Sequence, residues 1–246
     1  MPTVLITGCS SGFGLATARL FLERGWNVVA TMRTPRLDLL PASPQLRIVA
    51  LDVLDPESVR RAVEESGPVD VLVNNAGVGL MGIFESTPMA TLREVFDTNL
   101  FGTMALTQAV LPQFRQRGAG VIVNVSSATT YTALPLLAAY TASKAALNAW
   151  TASLALELEA LGVRAHLVLP GRSPETPFGR NAQTRMQDAA PEAYAGFLDK
   201  VFAGRNSDGP VTHASDVAEA IWRAATDPGA PLSAPAGADA VAMAPV

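Results

Sequence analysis

The chain has 246 residues, 49% hydrophobic and only 16% charged, with a formal net charge of −4. That length and apolar content fit one large α/β domain with a substantial core and exclude a largely disordered chain. Lys and Arg are scattered, with no run longer than the Arg60-Arg61 pair, which excludes the dense basic patch that nucleic acid or an anionic membrane requires; one cysteine and two histidines allow neither an internal disulfide nor a metal-ligand cluster.

Met1-Pro2-Thr3-Val4 enters a strand-like run directly, without a basic n-region or long apolar h-region, so no signal peptide is expected. β-Branched runs at Val4–Ile6, Val28–Thr31, Arg47–Leu51, Val69–Val73, Val121–Val125 and Val163–Leu169 read as strands. Helical patterns fill the intervals at Phe13–Arg24, Pro56–Glu65, Thr91–Gln116, Tyr140–Leu161 and Ala214–Thr226. Near-continuous apolar strands alternating with helices predict a single α/β domain over residues 1–246. Its sheet is expected to be Rossmann-like, doubly wound and parallel, with ligands at the carboxyl ends of the strands. The apolar stretch Ala145–Val163 is interrupted by Asn148, Glu157 and Glu159, which speaks against a membrane span; a soluble cytoplasmic protein is expected.

After the first strand, Thr7-Gly8-Cys9-Ser10-Ser11-Gly12-Phe13-Gly14 leads straight into a helix. Glycines there permit a tight turn and let a pyrophosphate approach N–H groups at the positive helix end. The spacing is not G-x-G-x-x-G, since Thr17 stands where a third glycine or alanine belongs, but the strand-turn-helix context points to a nucleotide. Cys9 within the turn reads as small-residue packing. The second strand ends at Met32-Arg33 with no acid to accept from ribose hydroxyls; Arg33, aided by Ser11, can pair with a 2′-phosphate, so NADP(H) is favoured over NAD.

Residues 172–209 form a long insertion before the last helix, and such length points to function. In it Tyr194, Phe197, Leu198, Val201 and Phe202 fall on one face at helical spacing, a lid helix or a packing helix.

Tyr140 and Lys144 share a helix face, and Ser127 closes the strand-like run Val121–Val125. An ammonium beside a phenol favours the phenolate and lowers a pKa that is ordinarily about 10, the makings of an acid–base device. His166, in an apolar run, reads as a core histidine, and His213, at a helix start, as a surface one.

Taken in order, Thr7-Gly8-x-x-x-Gly12-x-Gly14, Asp52-Val53, Asn74-Asn75-Ala76-Gly77, Asn99, Ser127 and Tyr140-x-x-x-Lys144 resemble the single-domain short-chain dehydrogenase/reductases over nearly the whole chain. Val28-Val29-Ala30-Thr31-x-Arg33 with Gly8-Cys9-Ser10-Ser11 is similar to their NADP-preferring, hydroxysteroid-dehydrogenase or carbonyl-reductase branch. The resemblance implies that Tyr140 donates the proton in carbonyl reduction. Lys144 would depress its pKa and hold the nicotinamide ribose, and Ser127 would hydrogen-bond the substrate oxygen. Asn99 would hold a water linking Lys144 to solvent. Gly8, Ser10, Ser11, Gly12, Phe13 and Gly14 would form the phosphate turn. Asp52, with Val53 beside it, would meet the adenine, and Asn74, Ala76 and Gly77 would line the cofactor's central stretch. Pro170-Gly171 would lie under the nicotinamide. The threonine that usually follows would fall at Glu175; Thr176 is the nearest threonine.

The expected activity is NADP(H)-dependent interconversion of an apolar ketone or aldehyde and its alcohol without metal, in a homo-oligomer, dimer or tetramer, built on the Thr91–Gln116 and Tyr140–Leu161 helices. Leu80, Met81, Leu136, Leu137, Phe178, Met186 and Phe202 are the candidate pocket residues. An imine or activated C=C reductase would use the same tyrosine and cofactor. From another class, an NADP(H)-sensing or scaffold protein could keep the fold without turnover.

Overall fold

The computed structural model describes residues 1–184, 190–203 and 209–245. Strands β1 (Thr3–Ile6), β2 (Asn27–Met32), β3 (Leu46–Ala50), β4 (Val71–Asn74), β5 (Gly120–Val125), β6 (Val163–Pro170) and β7 (Ser233–Ala236) form one sheet in the order β3-β2-β1-β4-β5-β6-β7, with parallel pairings. The helices are α1 (Gly12–Glu23), α2 (Pro56–Ser66), α3 (Met89–Phe96), α4 (Gly102–Arg117), α5 (Ala138–Glu159), α6 (Phe178–Thr184), α7 (Ala195–Ala203), α8 (Ala214–Thr226) and α9 (Ala238–Met243).

The two faces of the sheet follow from strand alternation. Val4, Ile6, Val28, Ala30, Val71 and Val73 pack with Phe21 of α1 and Ile221 of α8. The intervening Leu5, Val29 and Leu72 point the other way, to Val59 of α2, Leu106 and Phe114 of α4, and Leu154 of α5. Both faces are thus covered, which is why the strands read as continuous apolar runs. The strand order reverses between β1 and β4, so a crevice is expected beyond their carboxyl ends, where Thr7-Gly8 and Asn75-Ala76 lie. No helix among the described residues is long and apolar enough to cross a membrane.

The structure departs from the sequence reading in two places. The pattern over Thr91–Gln116 is not one helix: a π-helical turn, Asp97–Phe101, separates α3 from α4. Asn99 lies in that turn, accepting from the Val78 N–H at 2.8 Å and donating to its carbonyl at 3.0 Å, tertiary bonds that fix the wide turn. The second departure is β7 with α9, which sequence patterns missed. Ser-Ala-Pro-Ala has no β-branched residue, and Pro235 is tolerated because β7 is an edge strand.

Candidate active site

Four hydrogen bonds tie the ends of β1, β2 and β4 together. Cys9 N donates to Thr31 O at 2.9 Å, the Thr7 hydroxyl accepts from the backbone N–H of Asn75 at 2.9 Å and of Ala76 at 2.8 Å, and Asn75 Nδ2 donates to Thr7 O at 2.8 Å. Gly8 has φ +74°, and a Cβ there would lie 2.9 Å from Asn75 Nδ2, so both conformation and space demand glycine. At the start of α1, Ser11 occupies the N-cap without making a side-chain cap bond. The N–H groups of the first turn therefore stand at the positive helix end as an anion-binding arrangement. Ser10, Ser11 and Arg33 are exposed at this mouth, with Gly12 and Phe13 half-buried and Gly14 buried. Cys9 is buried, and burial pushes its thiol up to about 12, which leaves it inert.

In the groove's far wall the Asn74 side chain is engaged within the sheet. Its Nδ2 donates to Asn124 Oδ1 at 2.9 Å and Thr107 Oγ1 at 3.1 Å, and Asn124 Nδ2 donates to Thr151 Oγ1 at 2.9 Å. This buried ladder crosses from β4 through β5 to α5, so the Asn74 amide braces the sheet while Asn75 braces the turn. Asp52 Oδ1 accepts from Leu54 N at 3.0 Å, holding the turn after β3, and Val53 lies against the start of α4 at Gly102.

Ser127, Tyr140 and Lys144 converge as sequence spacing suggested, all buried. The Ser127 hydroxyl lies close enough to the Tyr140 phenol to favour its ionised form. It also accepts from the Thr129 N–H at 3.3 Å and the Thr129 hydroxyl at 3.1 Å. Lys144 Nζ donates to Val125 O at 2.9 Å. A Cβ on Gly77 would lie 3.1 Å from Asn99 Oδ1 and 3.6 Å from Lys144 Nζ, so Gly77, Asn99 and Lys144 meet at one point. Asn99 Nδ2 also donates to Ser143 Oγ at 3.0 Å.

Burial pushes the Tyr140 phenol up to about 12, only partly opposed by the nearby Ser127 hydroxyl, and burial also brings the Lys144 amine down to about 8. Desolvation of each charged form is the leading cause, and the ammonium's hydrogen bond goes to Val125 O. In this geometry Tyr140 is a protonated donor at neutral pH.

A cover lies over the phenol. The Phe178 and Tyr140 rings stand 5.8 Å apart at 59°, and a Cβ on Gly79 would come within 2.7 Å of Ala182 Cβ and 3.0 Å of Phe178 Cε1. Helix α6 is therefore seated on Gly79. Leu136, buried below, has φ +66°, and its carbonyl accepts from Gly82 N at 2.9 Å. A left-handed leucine costs about 1–3 kcal/mol and persists because its surroundings hold it.

The stretch after β6 divides its labour. Glu175 turns outward: its Oε1 accepts from Ala214 N at 2.6 Å and its Oε2 meets His213 Nδ1 at 3.2 Å, at the start of α8. Thr176 turns inward, buried, against Gly12 of the phosphate turn. Gly171, after Pro170, donates its N–H to Thr212 Oγ1 at 2.9 Å.

Met186 lies outside the described residues. In α7, Leu198 and Val201 are half-buried, while Phe197 and Phe202 are 44% and 40% exposed; α6 is the part of the insertion seen to meet the phenol. His166 is a core histidine, its Nδ1 donating to Pro231 O at 2.9 Å and its Nε2 accepting from Arg164 at 3.0 Å. Sequence reading missed the bracing by Thr7 and Asn75, whose only signal was their place beside the glycines, and the Leu136 strain, which had none.

The family model for short chain dehydrogenases matches residues 2–187. Oxidoreductase YusZ of Bacillus subtilis is 36% identical over 239 residues, covering 90% of this chain and 84% of that one. The 3-ketodihydrosphingosine reductase of Bacteroides thetaiotaomicron is 40% identical over 175 residues, 68% of this chain; the match spans only 62% of the reductase. Among solved structures, the closed form of serine dehydrogenase complexed with NADP+ superposes with a TM-score of 0.81 at 26% identity, covering 96% of this chain and 95% of that one. This chain belongs to the short-chain dehydrogenase family of oxidoreductases.

Proposed function

We propose that the chain reduces an apolar ketone or aldehyde to its alcohol with NADPH, and runs the reverse reaction with NADP+. The observation that carries this reading is the convergence of buried Ser127, Tyr140 and Lys144 beneath Phe178. The glycine turn and the uncapped start of α1 fit a dinucleotide pyrophosphate, and exposed Arg33 and Ser11 fit a 2′-phosphate. When bound, NADPH supplies the hydride to the carbonyl carbon.

The chain's own residues do the rest. Ser127 and Tyr140 hydrogen-bond the carbonyl oxygen as negative charge grows on it, and Tyr140 delivers its proton to that oxygen. Lys144, near Gly77 and Asn99, holds positive charge beside the reacting centre and passes a proton back towards Tyr140, with Asn99 ordering the relay. Thr176, packed on Gly12, closes the cofactor groove. Buried Leu80, Met81 and Leu136, with Phe178 above, favour an apolar substrate and exclude water. The relative named 3-ketodihydrosphingosine reductase supports the same class, since its name is that of a reductase acting on a keto compound.

Consumption of NADPH followed at 340 nm over a panel of apolar ketones, aldehydes, imines and enones tests this. Turnover of ketones or aldehydes is expected. Turnover of imines or enones alone transfers the activity to those bonds, and cofactor binding with no turnover makes the chain a nucleotide sensor. Self-association is proposed through the helices around Phe101 and Leu156, which are 55% and 75% exposed. Sedimentation should give a dimer or tetramer.

A further inference from the structure

On the strand side of the site, the segment carrying Ser127 changes direction abruptly. Just past β5, Ser126 is still bonded to the sheet, its N–H donating to Val168 O at 2.8 Å; Ser127 is extended, at φ −159° and ψ 143°, and Ala128–Thr130 form one helical turn. The chemistry requires the Ser127 hydroxyl to stay in register with a phenol carried by another element, α5. Something must fasten the two.

Asn148 does so with both ends of its amide. Its Oδ1 accepts from Ser126 Oγ at 2.5 Å, and its Nδ2 donates to Thr130 Oγ1 at 3.0 Å. Thr130 Oγ1 in turn donates to Ser127 O at 2.9 Å. The amide therefore spans Ser127, gripping the residue before it and, through Thr130, its own carbonyl. Asn148 also stands one helical turn beyond Lys144 and two beyond Tyr140, on the same face of α5. One helix thus presents the proton donor, the cation and the clamp at successive turns, and the clamp holds the third member of the trio.

We infer that Asn148 is a positioning residue for the reaction, acting through Ser127, an inference that rests on the reading proposed above. Its hydrogen bonds reach neither the phenol nor the amine; its effect is to keep the Ser127 hydroxyl where the substrate oxygen arrives. Displacements of about 1 Å in such groups cost up to about 10²-fold in rate. Loss of the clamp should therefore lower kcat and leave cofactor affinity alone.

The test is a double-mutant cycle measured as kcat with NADPH and a carbonyl substrate from the panel, with NADPH affinity read by fluorescence. Asn148→Ala should lower kcat about ten- to a hundredfold with the NADPH Kd unchanged within about twofold. In a Ser127→Ala background the same change should cost almost nothing, because the hydroxyl it positions is gone. Thr130→Val, which cuts the other end of the clamp, serves if Asn148→Ala folds poorly and should show the same non-additivity. An equal loss in both backgrounds, or no loss in either, overturns the inference. Full activity of Ser127→Ala alone would instead overturn the proposed function. Hydrogen exchange across residues 126–131 needs no turnover: Asn148→Ala should accelerate it about tenfold while β5 is unchanged, and wild-type exchange there also overturns the inference.

Discussion

Phe178 lies across Tyr140, their ring centroids 5.8 Å apart, so a residue from the insertion after β6 shields the buried phenol. Phe178→Ala uncovers the phenol and removes apolar area from the substrate side, worth about 1.5–3 kcal/mol for a fully buried ring and less for this half-exposed one. KM for an apolar ketone is expected to rise about tenfold, while that for a small polar carbonyl changes little. Steady-state kinetics with the two substrates measures the difference.

Gly79 is the seat of that cover, since an added Cβ would collide with Ala182 and Phe178. Gly79→Val should push α6 off the site and lower kcat/KM at least tenfold. The sheet core is remote from the substitution, so the thermal midpoint should move by no more than a few degrees. A large fall in midpoint would assign Gly79 to folding instead.

Tyr140→Phe keeps the ring and removes the proton. A positioned acid contributes about 10²–10⁴-fold, so kcat should fall within that range with NADPH affinity preserved. Activity near that of the wild type in this variant would sink the assignment of the proton donor.

Stability should carry the signature of the buried amine. Lys144 titrates at about 8 in the folded protein against 10.5 ordinarily, so between those values the unfolded chain binds more protons than the folded one. Folding stability conferred through this group is lowest and constant below pH 8, rises with pH to about 10.5, and then levels off. Tyr140 acts with the opposite sign at higher pH: its folded value of about 12 lies above the ordinary 10, so its contribution is lost as pH climbs from 10 to 12. Urea midpoints of wild type and Lys144→Met from pH 7 to 10 should converge in the wild type's favour by about 3 kcal/mol at most. A pH-independent difference would mean the amine is solvated.

Arg33 tests the cofactor. It is exposed beside the phosphate turn, and a charge-assisted pair with a 2′-phosphate is worth about 1.5–3 kcal/mol. Arg33→Asp should weaken NADPH binding about ten- to a hundredfold and leave NADH binding nearly unchanged, as isothermal titration with each nucleotide will show.

The alternation of Val4, Leu5 and Ile6 was enough to set a two-sided sheet, because strand side chains point to opposite faces whatever the rest of the chain does. Likewise the four-residue step from Tyr140 to Lys144 put phenol and amine on one side of α5, since helical geometry is local. The phosphate turn was legible for the same reason: strand, glycines and helix follow each other directly. What escaped the sequence depends on partners distant along the chain. Asn74 and Asn75 are neighbours of one type, yet one braces the sheet through Asn124 and the other braces the turn through Thr7. Nothing local distinguishes them.

By itself, then, the order of residues determined the parallel sheet, the glycine turn and the shared helix face of Tyr140 and Lys144, all consequences of local periodicity. Only the tertiary structure decided how deeply the phenol is buried, that Phe178 lies against it, and that Asn148 straddles Ser127. Desolvation and cross-element hydrogen bonds depend on what folding brings alongside each group, and that information is spread over the whole chain.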